Sequence, residues 1–141
     1  MLNLKIFENN LRRTARYLLG KRKFDKIKYD IYNELLWFLP YDSYLYKSLC
    51  FMYKVVQDTC APYFKNLIQP NCEIHTHETR NKNNIYIANT KPNMYGQRSF
   101  QYVICNEWNK LPAVIIESQS FNKFKLLLKI HLLEAGKTAS K

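Results

Sequence analysis

The strongest constraint on the fold is the spacing of apolar residues, which recur every three or four positions in several separate stretches. This spacing places their side chains on one face of an α-helix. The first stretch, from about residue 3 to 19, has the apolar set Leu4, Phe7, Leu11, Ala15 and Leu18. Gly20 follows directly and is predicted to end the helix. The charged segment KRKFDK comes next and is predicted to connect this helix to the following one.

Two more helices are predicted before residue 60. One starts near Ile27 and ends near Pro40, because a proline disfavours the helical conformation of the residue before it. The other is predicted to begin at Asp42 or Ser43, which are both good N-cap residues. Its apolar face is broad, and this indicates burial from more than one direction.

The second half of the chain contains a polar segment between helices. A short helix is predicted in APYFKNLIQP, and residues 70–98 are polar, aperiodic and predicted to form a loop. Within that loop, Ile85 to Ala88 is the one strand signal. Helical spacing returns from Ser99 and stops at Pro112, and Ser120 is a good N-cap for a last helix.

These patterns predict a mainly α protein, a small module of five or six helices with one polar loop and at most a short β-hairpin. The predicted organisation is a basic helix and charged connector (1–28), a helical core segment (29–69), a polar loop with a short strand (70–98), a C-terminal helical pair (99–133) and a disordered tail (134–141).

The positive charge is concentrated at the two ends of the chain. The formal net charge is +11, of which residues 1–28 contribute +7 and residues 110–141 contribute +4, so the middle is neutral. Such an excess favours a polyanion, most often nucleic acid and less often an anionic membrane, although it also serves solubility. The densest cluster is the predicted nucleic-acid-binding set: Arg12, Arg13, Arg16, Lys21, Arg22 and Lys23.

No base-reading motif accompanies these cations, so we expect contacts to the RNA or DNA backbone with little sequence preference. An ordinary solvated helix face is the competing interpretation. The aromatic pair Phe100 and Trp108 has the chemistry to stack bases, but its spacing of eight on a helix is more typical of a core.

Enzymatic motifs are weak in this sequence. The acids are scattered, without the carboxylate pairs that a two-metal enzyme needs, and there is no phosphate-binding Gly-rich loop or nucleophile elbow. The best metal candidate is Cys72, His75 and His77, with Cys60 or Cys105 as a fourth ligand. This spacing lacks the second short pair of structural zinc sites, so a solvated loop is the favoured interpretation. We expect no cofactor, no metal and no small-molecule substrate.

The cysteines form no CxxC pair, and nothing reads as a secretory signal, so we expect reduced thiols. No apolar run reaches the length of a spanning helix. We therefore expect no membrane partner and an intracellular location, nuclear or cytoplasmic.

Five motifs occur together in order from about residue 8 to 133. They are NNLRRTARYLLGKRKFDKI, LLWFLP, YKVVQDTCAPYFKNLI, GQRSF followed by EWNKLP, and SFNKFKLLLKIHL. This series resembles the C-terminal region of non-LTR (LINE-type, jockey-like) retrotransposon reverse transcriptases. No single motif is decisive, but five in register are hard to obtain by chance.

The resemblance implies a non-catalytic part of an RNA-directed DNA polymerase, because the palm with its paired aspartates and the endonuclease precede this region in the family. It implies that Arg12, Arg13 and Arg16 face template RNA or target DNA, and that the rest of the reverse transcriptase is a partner. It also implies structural roles for Trp37, Pro40, Phe100, Trp108, Leu111 and Pro112.

Two alternatives stay open. One is a protein-interaction or scaffolding segment that does not bind nucleic acid and whose broad apolar faces need a partner. The other is a small metal-binding domain that uses Cys72, His75 and His77.

Overall fold

The structure, a computed structural model, describes residues 2–68, 84–87 and 99–140. This part of the chain is mainly helical, which confirms the predicted fold class. Its six α-helices and one 3-10 helix are α1 (Leu2–Leu18), α2 (Lys28–Asn33), α3 (Pro40–Val56), the 3-10 helix (Pro62–Leu67), α4 (Phe100–Asn109), α5 (Ala113–Ile116) and α6 (Phe121–Thr138). Most of the predicted polar loop, including Cys72, His75 and His77, lies outside the described residues.

The chain divides into two compact units. The first comprises Met1–Lys47 and Lys125–Lys141, and the second comprises Ser48–Phe124.

The core of the first unit is small and apolar. One cluster of its buried residues contains Ala15, Ile27, Ile31, Tyr32, Leu39 and Leu133. Ala15 is fully buried, and its short side chain lets α1 lie close to its neighbours. Leu133 belongs to α6, so residues from both ends of the sequence pack together in this core.

The prediction of a disordered tail from residue 134 is wrong for the residues up to Thr138, which belong to α6. Gly136 packs against the buried ring of Tyr32 so closely that a Cβ atom there would lie 2.5 Å from Tyr32 Cε1. A glycine that reads as a helix breaker in the sequence is therefore a packing residue of this helix.

The boundaries of α2 and α3 differ from those predicted. α2 ends at Asn33, well before Pro40, because Leu36 adopts a left-handed conformation (φ 52°) and the Trp37 N–H donates to the Ile31 carbonyl at 3.1 Å. This hydrogen bond spans six residues, one more than the closing bond of a Schellman motif, so the chain leaves α2 through a wider turn. α3 starts at Pro40 and not at Asp42 or Ser43, since proline is well suited to the first turn of a helix.

The second unit is built around aromatic side chains. Trp108 of α4 is 1% exposed and lies 5.9 Å, centroid to centroid, from the ring of Phe124. The ring of Tyr53 stacks on Phe124 at 4.3 Å, and the Tyr53 hydroxyl donates to the Ser118 carbonyl at 2.8 Å. These three rings thus pack together within a core whose other buried side chains are mostly aliphatic, and the buried Tyr53 hydroxyl has a partner.

Two predicted helix starts in this unit are confirmed. The Ser99 hydroxyl accepts a hydrogen bond from the Tyr102 N–H at 3.2 Å, and the Ser120 hydroxyl accepts one from the Lys123 N–H at 3.3 Å. Both serines thus satisfy an amide that the first turn leaves without a helical partner.

The strand predicted from Ile85 to Ala88 is described for its first three residues, and these form no regular strand. Instead, the side chain of Asn109 pairs with the backbone of Ile85 in both directions. Asn109 Oδ1 accepts from the Ile85 N–H and Asn109 Nδ2 donates to the Ile85 carbonyl, each at 2.9 Å. One amide side chain thereby holds both backbone polar groups of Ile85.

Candidate functional site

A groove on the first unit collects most of the predicted nucleic-acid-binding residues. We call it the basic groove. It has a volume of about 650 Å³ and is lined by Asn9, Arg12, Arg13, Arg16, Lys21, Lys23 and Phe24. Five of the six predicted cations thus lie together, and none of the described residues that line the groove is a carboxylate. Arg22, the sixth, is exposed but is not part of the lining.

Helical periodicity produces one wall of the basic groove. Residues 9, 12, 13 and 16 lie within one side of α1, because each step along an α-helix turns by about 100°. Ala15 lies on the side that is buried in the core. The sequence therefore anchors α1 with small and apolar residues and leaves its arginines along the groove.

A sharp reversal after α1 brings the second wall back towards the first. Gly20 adopts a left-handed conformation (φ 61°), and the Lys21 N–H donates to the Arg16 carbonyl at 2.9 Å. This is a Schellman closure, so the prediction that Gly20 ends the helix is confirmed.

The next four residues form a closed turn. The Arg22 N–H donates to Asp25 Oδ2 at 2.7 Å, and the Asp25 N–H donates to the Arg22 carbonyl at 3.2 Å. The Arg16 guanidinium donates to the Asp25 carbonyl at 3.3 Å and so ties the turn to α1. Lys23 and Phe24 occupy the two central positions of this turn.

Not every cation in the basic groove is equally available to a ligand. Arg12 pairs with Glu8 of the same helix at 2.5 Å, and Lys21 pairs with Asp30 at 3.4 Å. Both pairs are partly exposed, where such contacts are worth little. Arg13 and Lys23 form no ion pair within the described part of the chain. The predicted cluster is therefore neither scattered nor fully neutralised by acids.

The groove also contains donors with no partner inside the protein. The Nε atoms of Arg12 and Arg16 are buried and make no hydrogen bond within the described residues. Buried polar groups are normally satisfied, so each lost partner is costly.

The residues with implied structural roles differ in burial. Trp108 and Leu111 are buried, at 1% and 8% exposure, whereas Phe100 is 45% exposed and touches Phe51 at a centroid distance of 6.2 Å. Pro112 is exposed and precedes α5. Because the faces of Trp108 are covered, base stacking by the Phe100 and Trp108 pair does not fit this fold.

A second groove lies beside the opposite side of α1. We call it the apolar groove. It has a volume of about 690 Å³ and is lined by Phe7, Asn10, Leu11, Thr14, Trp37, Pro40, Ser43, Tyr44 and Lys47. On the apolar face of α1, Leu4, Phe7 and Leu18 are at least half exposed, whereas Ala15 is buried.

The described residues contain no group of three or more His, Cys, Asp or Glu side chains placed to hold a metal ion. Cys105 is buried, and burial raises the pKa of its thiol. No helix in the described ranges has both the length and the apolar character needed to cross a membrane.

Comparison with known proteins gave no further information. No family model, no curated protein and no solved structure matches this chain.

Phe24 is the one lining residue of the basic groove whose side chain is a large apolar ring, and it was not among the predicted site residues. It is 89% exposed, and Lys23 Nζ lies 5.5 Å from its ring centroid. The sequence did contain a signal for Phe24, because this aromatic residue lies inside a run of cations and outside every apolar repeat. A residue at such a position does not belong to the buried face of a helix and is expected to be exposed.

Proposed function

We propose that this chain binds the phosphate backbone of RNA or DNA in the basic groove and has no catalytic activity of its own. The observation that carries the proposal is the convergence of Arg12, Arg13, Arg16, Lys21 and Lys23 on one groove, with no acid among the lining residues that the structure describes. Cationic side chains at this density attract phosphates and release the counterions condensed on them.

The geometry favours backbone contact over base reading. Guanidinium groups match the oxygens of a phosphate with two parallel hydrogen bonds, and three of the five cations are arginines. No base-reading motif accompanies these cations in the sequence. Asn9 is the single amide in the lining. Affinity should therefore depend on salt much more than on sequence.

We further propose that the chain is the C-terminal, non-catalytic region of a LINE-type reverse transcriptase, in which the groove would hold template RNA or target DNA. This attribution is supported by the order of the five sequence motifs. If it is right, the genomic sequence upstream should encode a polymerase palm with a YxDD-type box. An upstream region without any palm remnant would contradict the attribution and leave the binding proposal intact.

The binding proposal is tested by charge removal in the groove. Arg13→Gln with Lys23→Gln removes the two cations that have no ion pair, and should weaken binding to RNA in a filter assay. Arg12 and Arg16 are less suitable, because they pair with Glu8 and anchor the Asp25 turn. Lys123→Gln with Lys129→Gln changes the net charge equally at exposed positions of α6 and is the matched control. Equal loss in both double variants would contradict a specific groove.

The apolar groove favours the alternative of a protein-interaction segment. Its aromatic lining residues Phe7 and Tyr44 are 67% and 42% exposed. Apolar surface of this kind promotes association. Under this alternative, the purified chain should self-associate with rising concentration in light scattering and should show no salt-dependent binding of nucleic acid. A monomer that binds RNA would exclude it.

A further inference from the structure

The exposure of Phe24 is unusual for a phenylalanine. Its ring is 89% exposed at the edge of the basic groove, although burying such a side chain is one of the main gains of folding. From this position we infer that Phe24 stacks on an unpaired base, so that the basic groove takes single-stranded nucleic acid in preference to a duplex. The inference rests on the proposed backbone binding and adds the class of ligand to it.

The turn that carries Phe24 is held in place before any ligand arrives. Two hydrogen bonds between Arg22 and Asp25 close it, and the Arg16 guanidinium fixes it to α1. Phe24 therefore projects from an ordered turn, and binding does not have to order the loop first. Preorganisation of this kind lowers the cost of association.

The Phe24 ring and the nearest cation of the basic groove are close enough for one nucleotide to contact both. Lys23 Nζ is 5.5 Å from the Phe24 centroid, and Lys21 and Arg13 line the same groove. A base on the ring would bring its own phosphate among these cations. Sites for single strands combine the same two elements, a cationic track and aromatic platforms.

A duplex cannot use this arrangement without being opened, because both faces of each internal base are already covered by its neighbours. Stacking on Phe24 thus discriminates between strand states, whereas the cations alone do not. A membrane surface would also accept an exposed ring among cations. However, Phe24 is a single ring at the edge of the groove, and the exposed apolar residues Leu4 and Phe7 are not part of its lining.

The test compares Phe24→Ala with the wild-type chain on three labelled ligands in fluorescence anisotropy. The ligands are a short oligothymidylate, a strand of the same length with abasic spacers, and a duplex of that length. We expect Phe24→Ala to weaken binding of the oligothymidylate by about five- to 150-fold, the range of one stacked base. Its binding of the abasic strand and the duplex should not change, and Phe24→Tyr should restore the wild-type affinity.

Control variants separate this inference from the function on which it rests. Phe7→Ala removes an exposed phenylalanine of α1, in the same unit but outside the basic groove, and should leave all three affinities unchanged. If Arg13→Gln weakens binding and Phe24→Ala does not, stacking is wrong and backbone binding stands. If no ligand binds in a salt-dependent way, both are wrong.

The membrane outcome is measured with phosphatidylserine vesicles in a sedimentation assay. Vesicle binding that is lost in Phe24→Ala, together with equal affinity for the single strand and the duplex, would overturn the inference in favour of a lipid surface.

Discussion

At the scale of single residues, Tyr32 shows how a polar group is placed in the core of the first unit. Its side chain is 2% exposed, yet its hydroxyl donates to the carboxylate of Asp42. Burial, and then the hydrogen bond to Asp42, raise the pKa of Tyr32 above the ordinary value of 10.0. The sequence did not reveal this pair, because Asp42 reads as a helix cap.

The stability of the protein should depend on this phenol at alkaline pH. The pKa of Tyr32 is higher in the folded state than in the unfolded chain, so its contribution is complete below pH about 10 and falls as the pH rises further. Tyr32→Phe should cost about 1–2 kcal/mol at neutral pH, since it removes a hydrogen bond to a charged group. The difference between wild type and variant should shrink above pH about 10 in urea unfolding. A difference that is constant with pH would contradict the raised pKa.

Gly136 gives a second test at this scale. In an exposed helix, Gly→Ala stabilises by about 0.5–1 kcal/mol. Here the new methyl would lie 2.5 Å from the buried ring of Tyr32, so Gly136→Ala should destabilise by about 1–3 kcal/mol in thermal or urea unfolding. The neighbouring exposed substitution Ala135→Gly is a control for helix propensity alone. A stabilised Gly136→Ala variant would show that α6 does not pack on Tyr32.

At the scale of elements, the segment around EWNKLP has two different tasks. Trp108 fills the core of the second unit, and the next residue, Asn109, holds the backbone of the separate segment 84–87 through Ile85. The polar residues around the tryptophan are therefore explained in part by this pairing and need no active site.

Substitutions of Asn109 can test its two hydrogen bonds to Ile85 one at a time. Asn109→Ala removes both and leaves the buried Ile85 N–H and carbonyl without these partners, at a cost of about 1–3 kcal/mol. Asn109→Asp keeps the acceptor but loses the donor, and we expect hydrogen exchange of the Ile85 amide to stay slower than in Asn109→Ala. Asn106→Ala loses only a bond to the Tyr102 carbonyl within α4 and is the matched control. Similar amide exchange in all three variants would contradict the pairing.

The helices were predictable from the sequence where local rules decide them. Ser99, Ser120 and Gly20 mark real helix boundaries, because caps and left-handed stops act within a few residues. The end of α2 at Asn33 was not predictable, since Leu36 is a residue that seldom takes the left-handed conformation. The helical tail was missed because its packing on Tyr32 is a contact between distant parts of the chain.

The sequence predicted most of the residues that form the candidate site, but it did not predict how they are arranged. The run of cations identified five of the residues that line the basic groove. The sequence could not show that Arg22 is outside the lining, that Arg16 anchors the Asp25 turn, or that Phe24 completes the groove, because all three depend on how the chain folds back after Gly20.

At the scale of the whole molecule, the net charge of +11 determines how the chain meets its ligands. A charge of this size attracts any polyanion from a distance, and salt screens that attraction over about 10 Å at moderate ionic strength. Net charge alone therefore cannot distinguish a specific groove from general attraction. The distinction has to come from variants that change the groove at constant net charge.

The most direct measurement of the central claim is the slope of log K against log salt concentration for an oligothymidylate strand. Each phosphate contact on a single strand contributes about 0.7 to this slope. Arg13→Gln with Lys23→Gln should lower its magnitude by about 1.4, whereas Lys123→Gln with Lys129→Gln, which has the same net charge, should leave it near the wild-type value. Equal slopes in the two double variants would contradict the basic groove as the binding site.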